Sequence, residues 1–318
     1  PLPKGSMPAS ELWFFLTTRK RFDVYFFAYP IARPYFFLAP AKHIISMQYD
    51  GGPDTAGFEL GAPYRGRIPN WLAPIMRKYV EAFVTTSEFG KRGLIEARGL
   101  PAEKIHVVYG GSDDMFRPIP KDEAWALIEK EYKIARTPLI IASGRLDPHK
   151  NILRLVEAFD ILKKRYRIPH KLIVTGGAHM PDYSQKVFAL IKERELEDDC
   201  IILHVRQFSE MPYFYSAAEV MVFPSLYEGF GLPLAEAMRC GVPTIASRSS
   251  SLIEVGGDAS AFFDPVDPED MARAIDAVLS DPTRRSRMIE RGREQAKKFT
   301  WEQYCMKMTD IIKALGSK

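Results

Sequence analysis

Cysteine is scarce in these 318 residues: only Cys200, Cys240 and Cys305 occur, all in the second half and none at a metal-ligand spacing. That argues against a disulfide framework and for a reducing, cytoplasmic setting. No run of about 18 apolar residues exists, so no segment reads as a membrane span. No secretory signal opens the sequence, and Gly5-Ser6-Met7 reads as a cloning remnant with Met7 the native start. His43, His106, His149, His170, His179 and His204 are scattered without ligand spacing, so neither a metal site nor a cofactor is expected. No Gly-x-Gly-x-x-Gly follows a strand pattern, which weighs against a nicotinamide dehydrogenase. Internal repeats, coiled coils and low-complexity tracts are missing as well.

What is present is an ordinary globular composition, 46% hydrophobic and 26% charged, long enough to bury its own core. The net charge is +4, and residues 1–120 hold 15 Lys/Arg against 11 Asp/Glu while the remainder is balanced. That small surplus fits either chance or a surface meeting an anionic membrane or a phosphate-bearing acceptor. The second half alternates short apolar runs (Thr137–Ala142, Lys171–Val174, Cys200–Leu203, Val220–Phe223, Thr244–Ala246) with amphipathic helical patterns. The helical patterns are Ile152–Arg165, Tyr183–Leu196, Met211–Ala218, Met271–Leu279 and Arg284–Phe299. Buried strands alternating with helices specify an α/β fold with a doubly wound parallel sheet. The first half is less regular, with strands expected at Asp23–Phe27, His43–Met47, Ala82–Thr86 and Ile105–Val108 and a helix at Glu88–Arg98. The Gly/Pro-rich run GGSDDMFRPIP (110–120) reads as a linker. The expected domains are 1–120 and 121–299, with a last helix in 300–318 crossing back toward the first domain.

Two constellations carry chemistry. The first, Ser143-Gly144-Arg145-Leu146-Asp147-Pro148-His149-Lys150-Asn151, follows a buried strand. Glycine lets a ligand approach the backbone, and Arg145 and Lys150 put two cations at a mouth where a diphosphate could sit. The competing reading is a surface turn with two solvated cations. The second runs from Pro224 to Met238 after the strand Val220–Phe223, with Glu228 in the strand-to-helix turn and Glu236 about one turn into the helix. Pro233 reads as its first helical position, and the two carboxylates could meet different hydroxyls of one ligand. A helix-capping pair is the alternative.

SLYEGFGLPLAEAMRCGVPTIAS, in which Glu228 and Glu236 enclose seven residues, resembles the Glu-x7-Glu signature of glycosyltransferase family 4. SGRLDPHKN resembles that family's donor-phosphate motif, SSLIEVGGDASAFFDPVDPEDMARAI its C-terminal portion, and VTTSEFGKRGLIEARGLPAEKIHVVYGGSDDMFRPI its domain junction. The likeness is good over residues 80–318 and loose over 20–60. It implies a GT-B fold, two Rossmann-like domains facing a cleft, and a metal-independent, retaining hexosyltransferase using a nucleotide diphosphate sugar as co-substrate. GDP-mannose and a UDP-hexose are the implied donors, mannose favoured on overall likeness. The acceptor would be a hydroxyl of a glycan, a lipid-linked sugar or a small molecule, with peripheral contact to the inner face of a membrane possible and no nucleic acid involved.

By matching position, the catalytic residues would be Glu228, Arg145 and Lys150, the two cations holding the donor diphosphate beside Gly144. Glu236 would bind the ribose, Glu228 and the Gly229, Phe230, Gly231 and Leu232 segment the sugar or phosphate, and Val205 and Arg206 the nucleobase edge. Whether Glu228 acts as nucleophile or as charge partner in a same-face, internal-return route stays open. Tyr49-Asp50 stand where many members carry a His-Asp pair, and would face the sugar or acceptor; packing is the alternative for Tyr49. The sequence starts well inside such a first domain, so its first strand and loop either precede this sequence or are absent. The aromatic run FDVYFFAYPIARPYFFLAP is read as core, Tyr183, Tyr213 and Tyr215 as packing residues, and PTRRSRMIERGREQAKKF as a solvated basic helix. A non-catalytic nucleotide-sugar-binding protein is the first rival; a pyridoxal-phosphate-dependent phosphorylase, usually much longer, is the second.

Overall fold

The computed structural model describes residues 13–28, 36–48, 72–178 and 180–316, which fall into two compact units. One comprises residues up to Tyr109 together with Glu302–Lys318, the other Gly110–Trp301. No helix among the described residues is long and apolar enough to cross a membrane.

The first unit holds a four-stranded parallel sheet, β1 (Phe22–Phe27), β2 (Ala41–Met47), β3 (Ala82–Thr85) and β4 (Ile105–Val107), in that order. Register runs Phe22↔Ala41, Ile45↔Ala82 and Phe83↔Ile105. β3 is buried at every position, as a strand covered on both faces must be. Phe27 and Phe36 enter the core beside Phe15, Leu72 and Met76, while Phe37 stays 44% exposed, so the aromatic run is core only in part. Met308 and Leu315 of the last helix, Trp301–Gly316, pack against Ile45, Met47 and Val84. The helix Glu88–Arg98 starts where the Ser87 hydroxyl accepts from the Gly90 N–H at 2.9 Å and ends at Gly99 with φ 59°.

The second unit holds six parallel strands: β5 (Leu139–Ser143), β6 (Lys171–Thr175), β7 (Cys200–Leu203), β8 (Val220–Phe223), β9 (Thr244–Ser247) and β10 (Ser260–Phe263). Their spatial order is β10-β9-β8-β5-β6-β7. The chain winds outward from β5 one way and from β8 the other, so the reversal falls between these two central strands. In open α/β sheets the crevice beyond the carboxyl ends at such a reversal is where ligands sit. Ile140, Val156, Phe159, Leu172, Val187, Val222, Ile245, Phe263 and Ile275 form the core between sheet and helices. β10 and the helix Lys121–Tyr132 are additional to the sequence pattern, and the helix Ile152–Ile161 passes into a π-turn over Leu162–Tyr166.

The expected linker is a packed part of the second unit. Gly111 lies against the chain at Trp301, where a Cβ would sit 2.4 Å from the backbone nitrogen. Ser112 donates from its N–H to the Phe299 carbonyl at 3.0 Å, and Phe116 is buried against Tyr215 and Phe208. Its glycines serve close approach rather than freedom.

Candidate active site

The turn after β5 is built around a close approach. A Cβ on Gly176, at the end of β6, would stand 2.3 Å from the Gly144 carbonyl oxygen, so these two loops fit only with glycine there. Gly144 has φ 145° and its bare side accommodates the Lys150 stem, 3.0 Å from where a Cβ would be. Arg145 is exposed, its guanidinium 3.2 Å from the buried Asp147 carboxylate, whose other oxygen is buried without a partner. Asn151, at φ 59°, donates its side-chain amide to the Pro224 and Pro265 carbonyls at 3.1 and 2.7 Å. The Leu226 N–H donates to the His149 carbonyl at 2.8 Å. These bonds lash the β5 loop to the β8 loop and to the segment after β10. Burial, with Lys150 beside it, holds the His149 imidazole below its ordinary range.

Across this join Lys150 Nζ reaches Glu228 Oε1 at 2.5 Å, with the two side chains 16% and 15% exposed. The same ammonium lies 5.2 Å from the Phe223 ring centroid. Residues 78 positions apart in sequence thus form one ion pair at the sheet's reversal.

A serine run after β9 fixes the β8 loop, a role the sequence pattern did not reveal. The Ser250 hydroxyl accepts from the Glu228 N–H at 2.9 Å, and the Ser251 hydroxyl lies 2.9 Å from both the Glu228 and Phe230 carbonyls. Ser249 donates to the Ser225 carbonyl at 3.1 Å. Phe230 is buried edge-on to Phe299, Gly229 is half-buried, and Gly231 takes φ 99°. The helix that follows, Leu232–Arg239, begins at Leu232, so Pro233 is its second residue and not its first.

Glu236 lies inside this helix and is only 6% exposed. Burial pushes its carboxyl up to about 7, against a counteracting hydrogen bond from the Tyr215 hydroxyl at 3.4 Å. Tyr215 is therefore a donor to Glu236 as well as a packing residue. Beside Arg145, a cavity of about 380 Å³ opens past β6 and β7, lined by Gly176, Gly177, His204, Val205 and Phe208.

The structure joins Gly144, Lys150 and Glu228, and it places Arg145 and Val205 on one cavity. Arg206 is not among that cavity's lining residues. Its guanidinium bonds the Glu131 carbonyl and carboxylate at 2.8 and 2.7 Å, stacked 4.9 Å from the Tyr132 ring. A nearby acid and aromatic hold it more strongly than open solvent would. Tyr49 and Asp50 lie outside the described residues. No group of three or more His, Cys, Asp or Glu among the described residues could hold a metal ion.

The model of the family described as "Glycosyl transferases group 1" matches residues 124–295. The chain is 32% identical over 232 residues to O-antigen chain mannosyltransferase B of Escherichia coli, covering 73% of this chain and 60% of that protein. It is 31% identical to the D-inositol 3-phosphate glycosyltransferase of Xylanimonas cellulosilytica, over 73% of this chain and 56% of that one. It thus spans less than two thirds of these relatives. Among solved structures, Anabaena HepE in complex with UDP and glucose is similar at a TM-score of 0.77 and 18% identity, over 92% of this chain and 78% of that one. A glycosyltransferase from Rickettsia africae gives a TM-score of 0.74 at 20% identity, over 88% and 73%. With its two parallel sheets the fold is α/β and of GT-B type. The Glu228 loop, the helix that holds Glu236, the glycine-bounded β5 loop and the switch-point sheet all fall within the matched span, and the chain belongs to the glycosyl transferases group 1 family.

Proposed function

We propose that this chain moves a hexose from a nucleoside diphosphate sugar to an acceptor hydroxyl, with retention at the anomeric carbon and without a metal. The observation that carries the reading is the Lys150–Glu228 pair, 2.5 Å apart at the carboxyl ends of the two central strands. In transfer, the bond between the anomeric carbon and the diphosphate oxygen breaks, and its electron pair leaves with the nucleoside diphosphate. The acceptor oxygen bonds that carbon, and its proton passes to the departing phosphate oxygen. Positive charge at Arg145 and Lys150 stabilises the leaving diphosphate as charge builds on it. Lys150 turning to that diphosphate frees Glu228 to face the oxocarbenium-like carbon. Glu236 accepts from ribose hydroxyls, and the cavity at Val205 takes the base.

Mannose is the favoured sugar because several relatives are mannosyltransferases by name. GDP-mannose is then the preferred donor and a UDP-hexose the alternative. The acceptor is a glycan, a lipid-linked sugar or a small-molecule hydroxyl. The test is incubation with each donor and a hydroxyl acceptor, with the anomeric configuration of the product read by proton NMR. Retained configuration supports the reading, inverted configuration contradicts the retaining route, and nucleotide binding without turnover favours a non-catalytic binder.

A further inference from the structure

A second cavity lies in the same unit, at the other end of the sheet from the residues above. It measures about 280 Å³ and is lined by Asp258, Ser260, Arg284, Arg287, Met288 and Arg291. Ser260 is the first residue of β10 and pairs with Thr244, the first residue of β9, so the cavity opens at the amino ends of the strands. Gly144, Lys150 and Glu228 follow the carboxyl ends of β5 and β8.

The three arginines share the helix Pro282–Ala296 at spacings of three and four residues, which sets them on one face. Met288, 7% exposed, anchors that helix to the core behind them. None of the three guanidiniums forms an ion pair with a carboxylate among the described residues. Arg165, Arg194, Arg239 and Arg273 of the same unit all do. Arg291 reaches only the Asp258 carbonyl, at 3.4 Å, and the Ser260 hydroxyl shares a 2.6 Å bond with Thr244. Asp258 opposes an anion, leaving a surplus of positive charge from the three arginines.

Three cations converging on one concavity repel each other, and an anion with several oxygens relieves that repulsion through forked, charge-assisted hydrogen bonds. A volume several times the roughly 30 Å³ of one water accommodates a phosphoryl or diphosphoryl group. We infer that this cavity is a binding site for a phosphoryl-bearing anion, separate from the donor site. A soluble phosphate compound and an anionic lipid headgroup share that chemistry.

The test is calorimetric titration of inorganic pyrophosphate at low ionic strength into the wild-type chain, Arg284→Gln/Arg287→Gln/Arg291→Gln and Arg145→Gln. The expected result is a class of site weakened at least about tenfold by the triple change and untouched by Arg145→Gln. Failure of the donor reading would appear separately, as Arg145→Gln leaving every class unchanged. Arg287→Gln alone, at an exposed position, should weaken the same class several-fold and serves if the triple variant does not fold. Sedimentation with vesicles of equimolar phosphatidylcholine and phosphatidic acid, abolished by the arginine changes, assigns the anion to a lipid. Pyrophosphate binding without sedimentation assigns it to a soluble phosphate. A folded triple variant that titrates and sediments like wild type overturns the inference.

Discussion

Glu228 and Glu236 are the same residue type in one short motif, yet their surroundings differ in kind. Glu228 sits in a loop, half-buried, with an ammonium 2.5 Å from its carboxylate. Glu236 sits in a helix, nearly sealed, with a phenol 3.4 Å away and no cation, and burial raises it to about 7. A carboxylate paired with an ammonium at a strand end is placed to meet developing positive charge. One held near neutrality inside the protein is suited to accept hydrogen bonds from a ligand that displaces water. Spacing alone makes the pair look equivalent, whereas the elements packed on each give them different surroundings.

The largest effect that would test this contrast is on turnover. Glu228→Gln should lower kcat by about a thousandfold while leaving nucleotide affinity within a few-fold. Glu236→Gln should do the reverse, weakening the nucleotide by about tenfold or more with a smaller change in kcat. Steady-state kinetics with calorimetric nucleotide titration separates the two; equal losses in both quantities for both variants would erase the distinction.

Stability against pH should differ next. Because the folded chain holds Glu236 above its unfolded value, the folded state keeps a proton that the unfolded state has lost. Stability from this group is full below about 4.5 and falls as pH rises toward about 7, by about 3 kcal/mol at most. Glu236→Gln should therefore be more stable than wild type above pH 7 and lose that advantage below 4.5, as measured by urea unfolding. Tyr215→Phe should raise the Glu236 titration further, because the hydroxyl favours the charged form.

A smaller effect concerns the scaffold of the Glu228 loop. Ser251→Ala removes the donor shared by the Glu228 and Phe230 carbonyls and should cost about 1–2 kcal/mol in stability. Its kcat should fall more than its nucleotide affinity. The smallest belongs to Arg206→Ala, whose pair with Glu131 is solvent-exposed and screened. Nucleotide affinity should stay within about twofold, and a larger loss would return Arg206 to the donor site.

Much of this was legible in the sequence wherever the signal is local. β7 and β8 occupy the expected residues, and Gly144, Arg145, Lys150, Glu228 and Glu236 stood out because glycines, cations and acids follow buried strands. What was not legible depends on pairing between distant segments. The contact of Lys150 with Glu228, the bonds from Ser250 and Ser251, and the Tyr215 hydroxyl on Glu236 exist only once the sheet has its order. The surroundings of Arg206 were hidden for the same reason: the helix that pairs with it, Lys121–Tyr132, was not among the expected elements. The run 110–120 read as a linker because glycine serves both linkers and tight contacts.

The most direct test is a titration of GDP, UDP and ADP into the wild-type chain, Arg145→Ala and Glu236→Ala, followed by calorimetry and thermal shift. The account predicts that one nucleotide binds selectively and stabilises the fold, and that both variants lose at least about tenfold in affinity. Equal binding by all three proteins, or binding by none, would contradict a donor site at the β5 and β8 ends.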